Sequence, residues 1–229
     1  MIAPSPQRRA NTDVPIWNFY RLFWIFFLGC FFGVVVETLW FLITTGQFFR
    51  RSGLIYGPFN PIYGFGAVIM TITLHWLRHK DSFWNLLGGS VIGSAYEYFC
   101  SWLQETIFGT VSWEYSDMPL NLNGRINLFA AICWGVLALL WLKALNPFLC
   151  HIIDLIPSRF YKVLAWLLLA FMLYDMGISA LAVGRQSARR LNMPADTALA
   201  VYLDEHYPDE FLAERYPSMI AVDRDTAAE

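Results

Sequence analysis

Charge is what this sequence is shortest of. Only 15% of its 229 residues are Asp, Glu, Lys or Arg, against roughly 25% in a typical soluble domain. The two signs nearly cancel, 16 basic against 18 acidic for a net of −2, which excludes a strongly basic nucleic-acid binder. Cysteine is equally sparse. Cys30, Cys100, Cys133 and Cys150 sit in or beside apolar stretches with no C-x-x-C pair, so they read as small hydrophobic residues and not as a zinc or redox motif. The patterns G-x4-G-K-[ST], G-x-S-x-G and H-E-x-x-H are all missing. The chain is therefore not itself a P-loop ATPase, and neither a serine-elbow hydrolase nor a zinc protease is indicated. His75 and His79 have the i, i+4 spacing of two metal ligands but lie beside Arg78 and Lys80 without a third ligand nearby, so neither a metal site nor a cofactor is expected.

Hydrophobic residues fill the space: 57% of the chain, with 17% aromatic and a mean hydropathy of +0.43. That content excludes disorder and points to an integral membrane protein. The remaining charge is unevenly placed, because residues 185–229 carry 5 basic and 9 acidic groups. Ahead of them the sequence predicts an all-α, polytopic bundle of about five transmembrane helices, at about 20–45, 61–77, 83–106, 126–145 and 162–184. Each is near the ~20 residues that cross a ~30 Å hydrocarbon core, and helices are the default where backbone groups must bond internally. The first span is too long for a signal-peptide core and reads as retained. Residues 1–19 form an N-terminal segment, 20–184 the transmembrane domain and 185–229 an acidic soluble tail. Residues 146–159 read as a short amphipathic link at the interface. An N-inside arrangement puts eight basic residues on the cytoplasmic side and six on the other, a weak preference under the positive-inside rule.

Gly29, Gly33 and Glu37 form G-x3-G-x3-E, and Gly89, Gly93 and Glu97 repeat it 60 residues on. Each copy is followed by a turn-rich loop and another helix, which predicts a helix–loop–helix repeat at about 20–77 and 83–145, in the manner of parallel-repeat transporters. Positions i, i+4 and i+8 share a helix face, and glycines there admit a close neighbour. The glutamates continue that face into the bundle. If the first and third helices meet through their glycines, Glu37 and Glu97 lie together in a shared polar chamber. A carboxylate in mid-membrane costs at least ~2.5–3.5 kcal/mol, which suits proton coupling, cation binding or acid–base work; the alternative is a purely structural tie.

Two loops carry most of the other polar chemistry. Arg50 to Gly66 is apolar yet rich in glycine and proline, so it is expected to dip into the bundle as non-helical backbone covered by protein; Arg51, Tyr56 and Tyr63 are its candidates. Trp113 to Ile126 contributes Trp113, Tyr115, Asp117, Asn121, Asn123 and Arg125. Arg125 is a candidate counter-ion for Glu97, Glu37 or Asp117, or a grip for an anionic headgroup. Asp175 and Ser179, four apart in the fifth span, complete the candidate polar interior.

The stretches GLIYGPFNPIYGFG (Gly53–Gly66) and WEYSDMPLNLNGRINL (Trp113–Leu128), with Glu37, Glu97, Trp134-Gly135 and Asp175-x3-Ser179, resemble the CmpB-like ABC-transporter permease family of bacterial membrane proteins. The likeness covers about residues 20–182. Ser52 stands where the family often has arginine, leaving Arg51 or Arg50 to replace it; Asn60 and Asn127 stand where cysteine is frequent, and Glu114 where Asp is. The resemblance implies a multi-pass protein of the bacterial cytoplasmic membrane, in contact with lipids, with transport as its function and a separate ATPase subunit as a partner; a homo-oligomer is a further option, and no nucleic acid is implied. No E-A-A coupling-loop signature is present. Three readings follow: a permease-like transport component, a membrane-embedded enzyme acting on a lipid or polyprenyl substrate, and a structural or regulatory subunit.

Overall fold

The computed structural model describes residues 18–222. Helix α1, Phe19–Thr45, starts where the Asn18 side chain accepts from the Tyr20 amide and stops at Gly46, whose φ of 70° is left-handed, a conformation glycine adopts without a Cβ penalty. The chain then runs without regular structure to α2, Pro61–Thr73, which opens on an Asn60 cap and a proline at its first position, where a missing amide hydrogen costs nothing. Helix α3 spans Ser82–Phe108 and α4 spans Leu128–Leu140. A widened turn at Trp141–Leu145 leads straight into α5, Asn146–Asp154. Pro147 explains the turn: it has no amide hydrogen to return to the preceding helical turn, and a looser pitch accommodates it. Residues 146–154 therefore continue α4 and are not a separate link. They bury Leu149 and Ile153 in the core shared with α1.

Helix α6, Ser158–Arg190, is 33 residues long, about 50 Å at 1.5 Å per residue. That exceeds a hydrocarbon core, and the helix runs on past the end expected near 184 to include Arg185, Arg189 and Arg190. Short helices α7, Ala198–His206, and α8, Asp209–Arg215, follow. Three stretches, Phe19–Thr45, Leu128–Asp154 and Arg159–Arg190, are long and apolar enough to cross a membrane. Of the other two expected spans, α2 is apolar but only 13 residues long, and α3 is long enough but carries Asn85, Glu97, Gln104 and Glu105. The architecture is an all-α membrane-type bundle with almost no sheet.

The closest packing is between consecutive helices, α1 with α2 and α3 with α4. A Cβ on Gly29 would lie 2.9 Å from Ala67, and Gly33 faces the Tyr63 ring; a Cβ on Gly93 would lie 2.5 Å from Trp134, and Gly89 faces Ala138. Each glycine face thus receives the next helix of its own hairpin. The expected meeting of α1 and α3 through their glycines is replaced by this arrangement, because Tyr63 and Trp134 supply the large side chains that fill the space the glycines leave.

Both long loops and the tail gather at one end of the bundle. Strand β1, Thr110–Val111, pairs antiparallel with β4, Ile220–Ala221, and β2, Asn121–Leu122, pairs with β3, Ile126–Asn127. Asn123 and Gly124 turn the second hairpin with φ of 53° and 66°, the geometry that Asn-Gly favours. The tail packs Leu203, Tyr207 and Leu212 against Ile55 and Ala182. It is pinned by ion pairs from Arg185 and Arg189 to Asp204 and from Arg189 to Asp209 at 2.6 Å. The hydrogen bond from Arg185, then that from Arg189, holds the Asp204 carboxyl at about 2, well below the usual ~3.9. Its contribution to docking is therefore complete above the unfolded value and disappears as pH falls through about 2. Protection of the α7 amides, as exchange relative to the intrinsic rate at each pH, is expected to hold steady from neutral pH down to about 4 and to fall below it. An Asp204→Asn variant is expected to exchange faster throughout, with no such step.

Candidate functional site

Glu37 and Glu97 are each held by side chains of their own hairpin, and the holders differ. Arg51 reaches Glu37 with its Nε at 2.7 Å and its Nη2 at 2.5 Å, and Tyr63 donates its hydroxyl to the other carboxylate oxygen. Arg51 also lies over the Phe41 ring, 4.3 Å from its centroid, and donates to Ser218 of the tail. Arg50 instead bonds Ser52 at 3.1 Å, so of the two arginines it is Arg51 that serves the acid. Glu97 accepts from the Tyr115 hydroxyl at 3.0 Å and from the Trp134 indole nitrogen at 2.6 Å. Both of its partners are neutral.

The surroundings differ too. A cleft of about 340 Å³ opens beside Glu97, lined by Tyr115, Met118, Asn127, Phe129, Ala130, Cys133, Trp134 and Leu137. Asn127 caps α4 by accepting from the Ala130 amide at 2.7 Å, and its Nδ2 donates to the Met118 sulfur. The seam between α2 and α3, where Gly66, Met70, Ile92, Tyr96 and Trp134 meet, has no room for water. Tyr96 closes it further by donating to the Ile62 carbonyl at 2.6 Å. The open cleft is lined by Glu97 and not by Glu37, so the two acids do not share it.

Arg125 serves none of its three expected partners. Its Nη2 pairs with Glu105 at 2.7 Å, and its guanidinium sits 5.3 Å from the Tyr98 ring centroid. Tyr98 also accepts from Asn123 at 3.0 Å. Asp117 is exposed. Asn121 braces its loop, donating to the Ser116 and Met118 carbonyls and accepting from the Gly124 amide. Trp113 donates to the Arg125 carbonyl at 3.2 Å. Trp113, Asn121, Asn123 and Arg125 therefore brace the β2–β3 hairpin, Asp117 takes no part, and Tyr115 and Met118 just ahead of it line the cleft. Sequence reasoning placed neither Asn127 nor Met118 in the site, and it took Trp134 as a marker without a role.

Asp175 and Ser179 form a second polar cluster. Asp175 is fully buried; its Oδ1 accepts from the Tyr56 amide at 3.0 Å and from Ser179, while Ser179 accepts from the Ile55 amide at 2.9 Å. From the other side Arg215 of α8, 6% exposed, donates to the Leu54 carbonyl at 2.8 Å and to the Gly57 carbonyl at 3.4 Å. Tyr56 and Tyr207 join hydroxyls at 2.9 Å. Leu54 and Ile55 are nearly inaccessible, so this loop is non-helical backbone covered by protein, as expected of a dipping segment. Its exposed amides and carbonyls are satisfied by side chains of α6 and α8 in place of a ladder. His75 and His79 both contact Arg78, and no cluster of three metal-ligating side chains exists among the described residues.

The long apolar helices and the near absence of sheet define an all-α membrane-type protein. The chain belongs to the CmpB family, described as "Putative ABC-transporter type IV", whose profile matches residues 24–180. No curated protein and no solved structure matches it significantly.

Proposed function

We propose that this protein is the membrane-spanning component of a transporter and that its solute occupies the cleft beside Glu97. The observation that carries the reading is the contrast between the acids: Glu37 is paired with the Arg51 guanidinium and accepts from Tyr63, whereas Glu97 has only neutral donors and lines a cleft of about 340 Å³. Membership of an ABC-transporter-related family supports transport over the other readings. In this reading a separate ATPase chain supplies the energy, as the family description suggests. The protein is a multi-pass component of the bacterial cytoplasmic membrane in this reading, surrounded by lipid.

Duplication underlies the arrangement. Tyr63-Gly64-x2-Ala67 against Gly29 and Gly33 is matched by Trp134-Gly135-x2-Ala138 against Gly89 and Gly93. One copy has kept a closed structural pair and the other has opened a site. An acid–base enzyme is less well supported, since Arg125 is committed to Glu105 and Asp117 faces outward, so the polar groups needed for catalysis do not converge.

The test compares cells without the protein, with the wild-type chain, and with Glu97→Gln at equal membrane abundance. Untargeted measurement of accumulated solutes is expected to reveal at least one compound whose level the wild type changes and Glu97→Gln returns to the level of cells without the protein. Identical profiles in wild type and variant overturn the reading.

A further inference from the structure

The two acids stand at matched places in matched hairpins, and only one has a cation. Arg51 lies against Glu37. At Glu97 the only donors are a phenol and an indole, and among the described residues no Lys, Arg or His nitrogen comes within 4.0 Å of its carboxylate. The one arginine in the adjoining loop, Arg125, is turned away to Glu105. Glu37 has a guanidinium against it, and Glu97 has an open cleft. Neutral donors stabilise a carboxylate without neutralising it, and an uncompensated charge of this kind is costly away from water. A ligand that brings the missing positive charge relieves that cost.

The walls narrow the chemistry of that ligand. Tyr115 and Trp134, which donate to the acid, and Phe129 put three aromatic side chains in the cleft wall, with Met118 and Leu137 completing an apolar lining. Aromatic faces attract a diffuse organic cation, and about 340 Å³ lies within the range of sites for small organic ligands. An inorganic divalent ion would find one carboxylate and no second acidic or imidazole ligand, because no metal-type cluster exists among the described residues. The outer lip, where Phe129 is 72% and Leu137 38% exposed, is apolar and suits hydrocarbon substituents.

We propose that the Glu97 cleft binds a substituted ammonium ion, its nitrogen against the carboxylate and its alkyl or aryl groups on Trp134, Phe129 and Leu137. This rests on the transport reading for its biological meaning and on geometry for its chemistry. Glu37 is the internal control, having the same helical setting with its cation built in.

Binding is measured by isothermal titration of the purified full chain in dodecyl maltoside. The probes are benzyltrimethylammonium and neopentylbenzene, which have the same shape and differ in charge. The wild type is expected to bind the cation at least about tenfold more tightly than the hydrocarbon. Glu97→Gln is expected to lose that preference and Glu37→Gln to keep it. Retained neopentylbenzene binding by Glu97→Gln excludes a folding defect, and Leu137→Trp, which fills the cleft with Glu97 intact, is expected to abolish binding of both probes. Competition by added phosphatidylethanolamine assigns the ligand to a lipid headgroup, and its failure to compete assigns it to a free cation. Equal binding of the two probes, or undiminished cation binding by Glu97→Gln, overturns the proposal. If cation binding fails while Glu97-dependent accumulation persists, the transport reading survives with a neutral solute. If binding holds and accumulation does not depend on Glu97, the site stands and the transport reading falls.

Discussion

Replacing Arg215 with alanine is expected to release the C-terminal helices and loosen the loop between α1 and α2, at a cost of about 3 kcal/mol. The side chain is almost fully buried and gives its two documented hydrogen bonds to backbone carbonyls, those of Leu54 and Gly57. Removing it takes those donors from a loop that has no ladder to fall back on. It also deprives the buried Asp175 carboxylate of a nearby positive charge. Arg215→Lys should recover only part of the loss, because an ammonium cannot reproduce the planar fork that reaches two carbonyls. Thermal unfolding in detergent measures the first effect and proteolytic sensitivity after Arg190 measures the second. A midpoint within a degree of wild type, with the tail still protected, would contradict the role assigned to this arginine. Arg190→Ala, on the outer turn of the same end, is the comparison expected to change little.

Arg215 also marks the boundary of what could be read from sequence. Three of the five expected spans, the first, fourth and fifth, were legible because hydropathy and length are local, and the covered loop was legible because Gly53 to Gly66 is apolar and rich in helix breakers at once. Glu37 and Glu97 stood out through the G-x3-G-x3-E repeat. The neighbours of those glycines did not, since a stripe of small residues tells that something approaches closely and not which helix does so. Partner choice was the hardest part. Arg125 selects Glu105, and Arg215 selects carbonyls far back in the chain at Leu54 and Gly57; neither pairing leaves a periodic trace. The turn at Asn123-Gly124 had a signal that was available, because Asn-Gly between short extended segments favours a hairpin. The tail's acidic composition described its outer surface and concealed Leu203, Tyr207 and Leu212 beneath.

The unequal fates of Glu37 and Glu97 follow from the same hairpin geometry. In each hairpin, glycines bring the following helix close enough for a large aromatic side chain to reach the acid, Tyr63 in one and Trp134 in the other. The loop then decides the outcome. The first loop is drawn inward by Asp175, Ser179 and Arg215 and delivers Arg51 to Glu37. The second folds into its own short hairpin, leaves Arg125 with Glu105 and delivers only the Tyr115 hydroxyl. Closure and opening are therefore set by loops acting on a common helical frame.

That frame makes the glycine contacts the most sensitive packing positions in the molecule, and valine at Gly64 or Gly135 should show it. A Cβ on Gly64 would stand 2.7 Å from the Phe26 carbonyl oxygen and against the Cys30 sulfur; one on Gly135 would stand 2.7 Å from the Leu86 carbonyl oxygen and 2.5 Å from the Ser90 hydroxyl. Backbone oxygens in helices cannot yield as flexible side chains do, so the helices must part. Overpacking of this kind typically costs 1–3 kcal/mol, and β-branched valine should lie at about the upper end. The two variants are expected to differ in what else they lose. Gly135→Val pushes Trp134 off Glu97 and should abolish the cation preference of the cleft, whereas Gly64→Val disturbs Tyr63 and Glu37 and should leave that preference intact. Gly177 and Gly184 of α6 have open space where a Cβ would go; alanine there should be neutral or stabilising by up to about 1 kcal/mol, as for any unhindered glycine in a helix interior. Thermal midpoints for all four variants, with probe binding for the first two, decide the matter. Valine tolerated at Gly64 and Gly135 as well as alanine is at Gly177 would mean that the hairpins are not held by close glycine packing, and the account of how Glu97 is presented would fail with it.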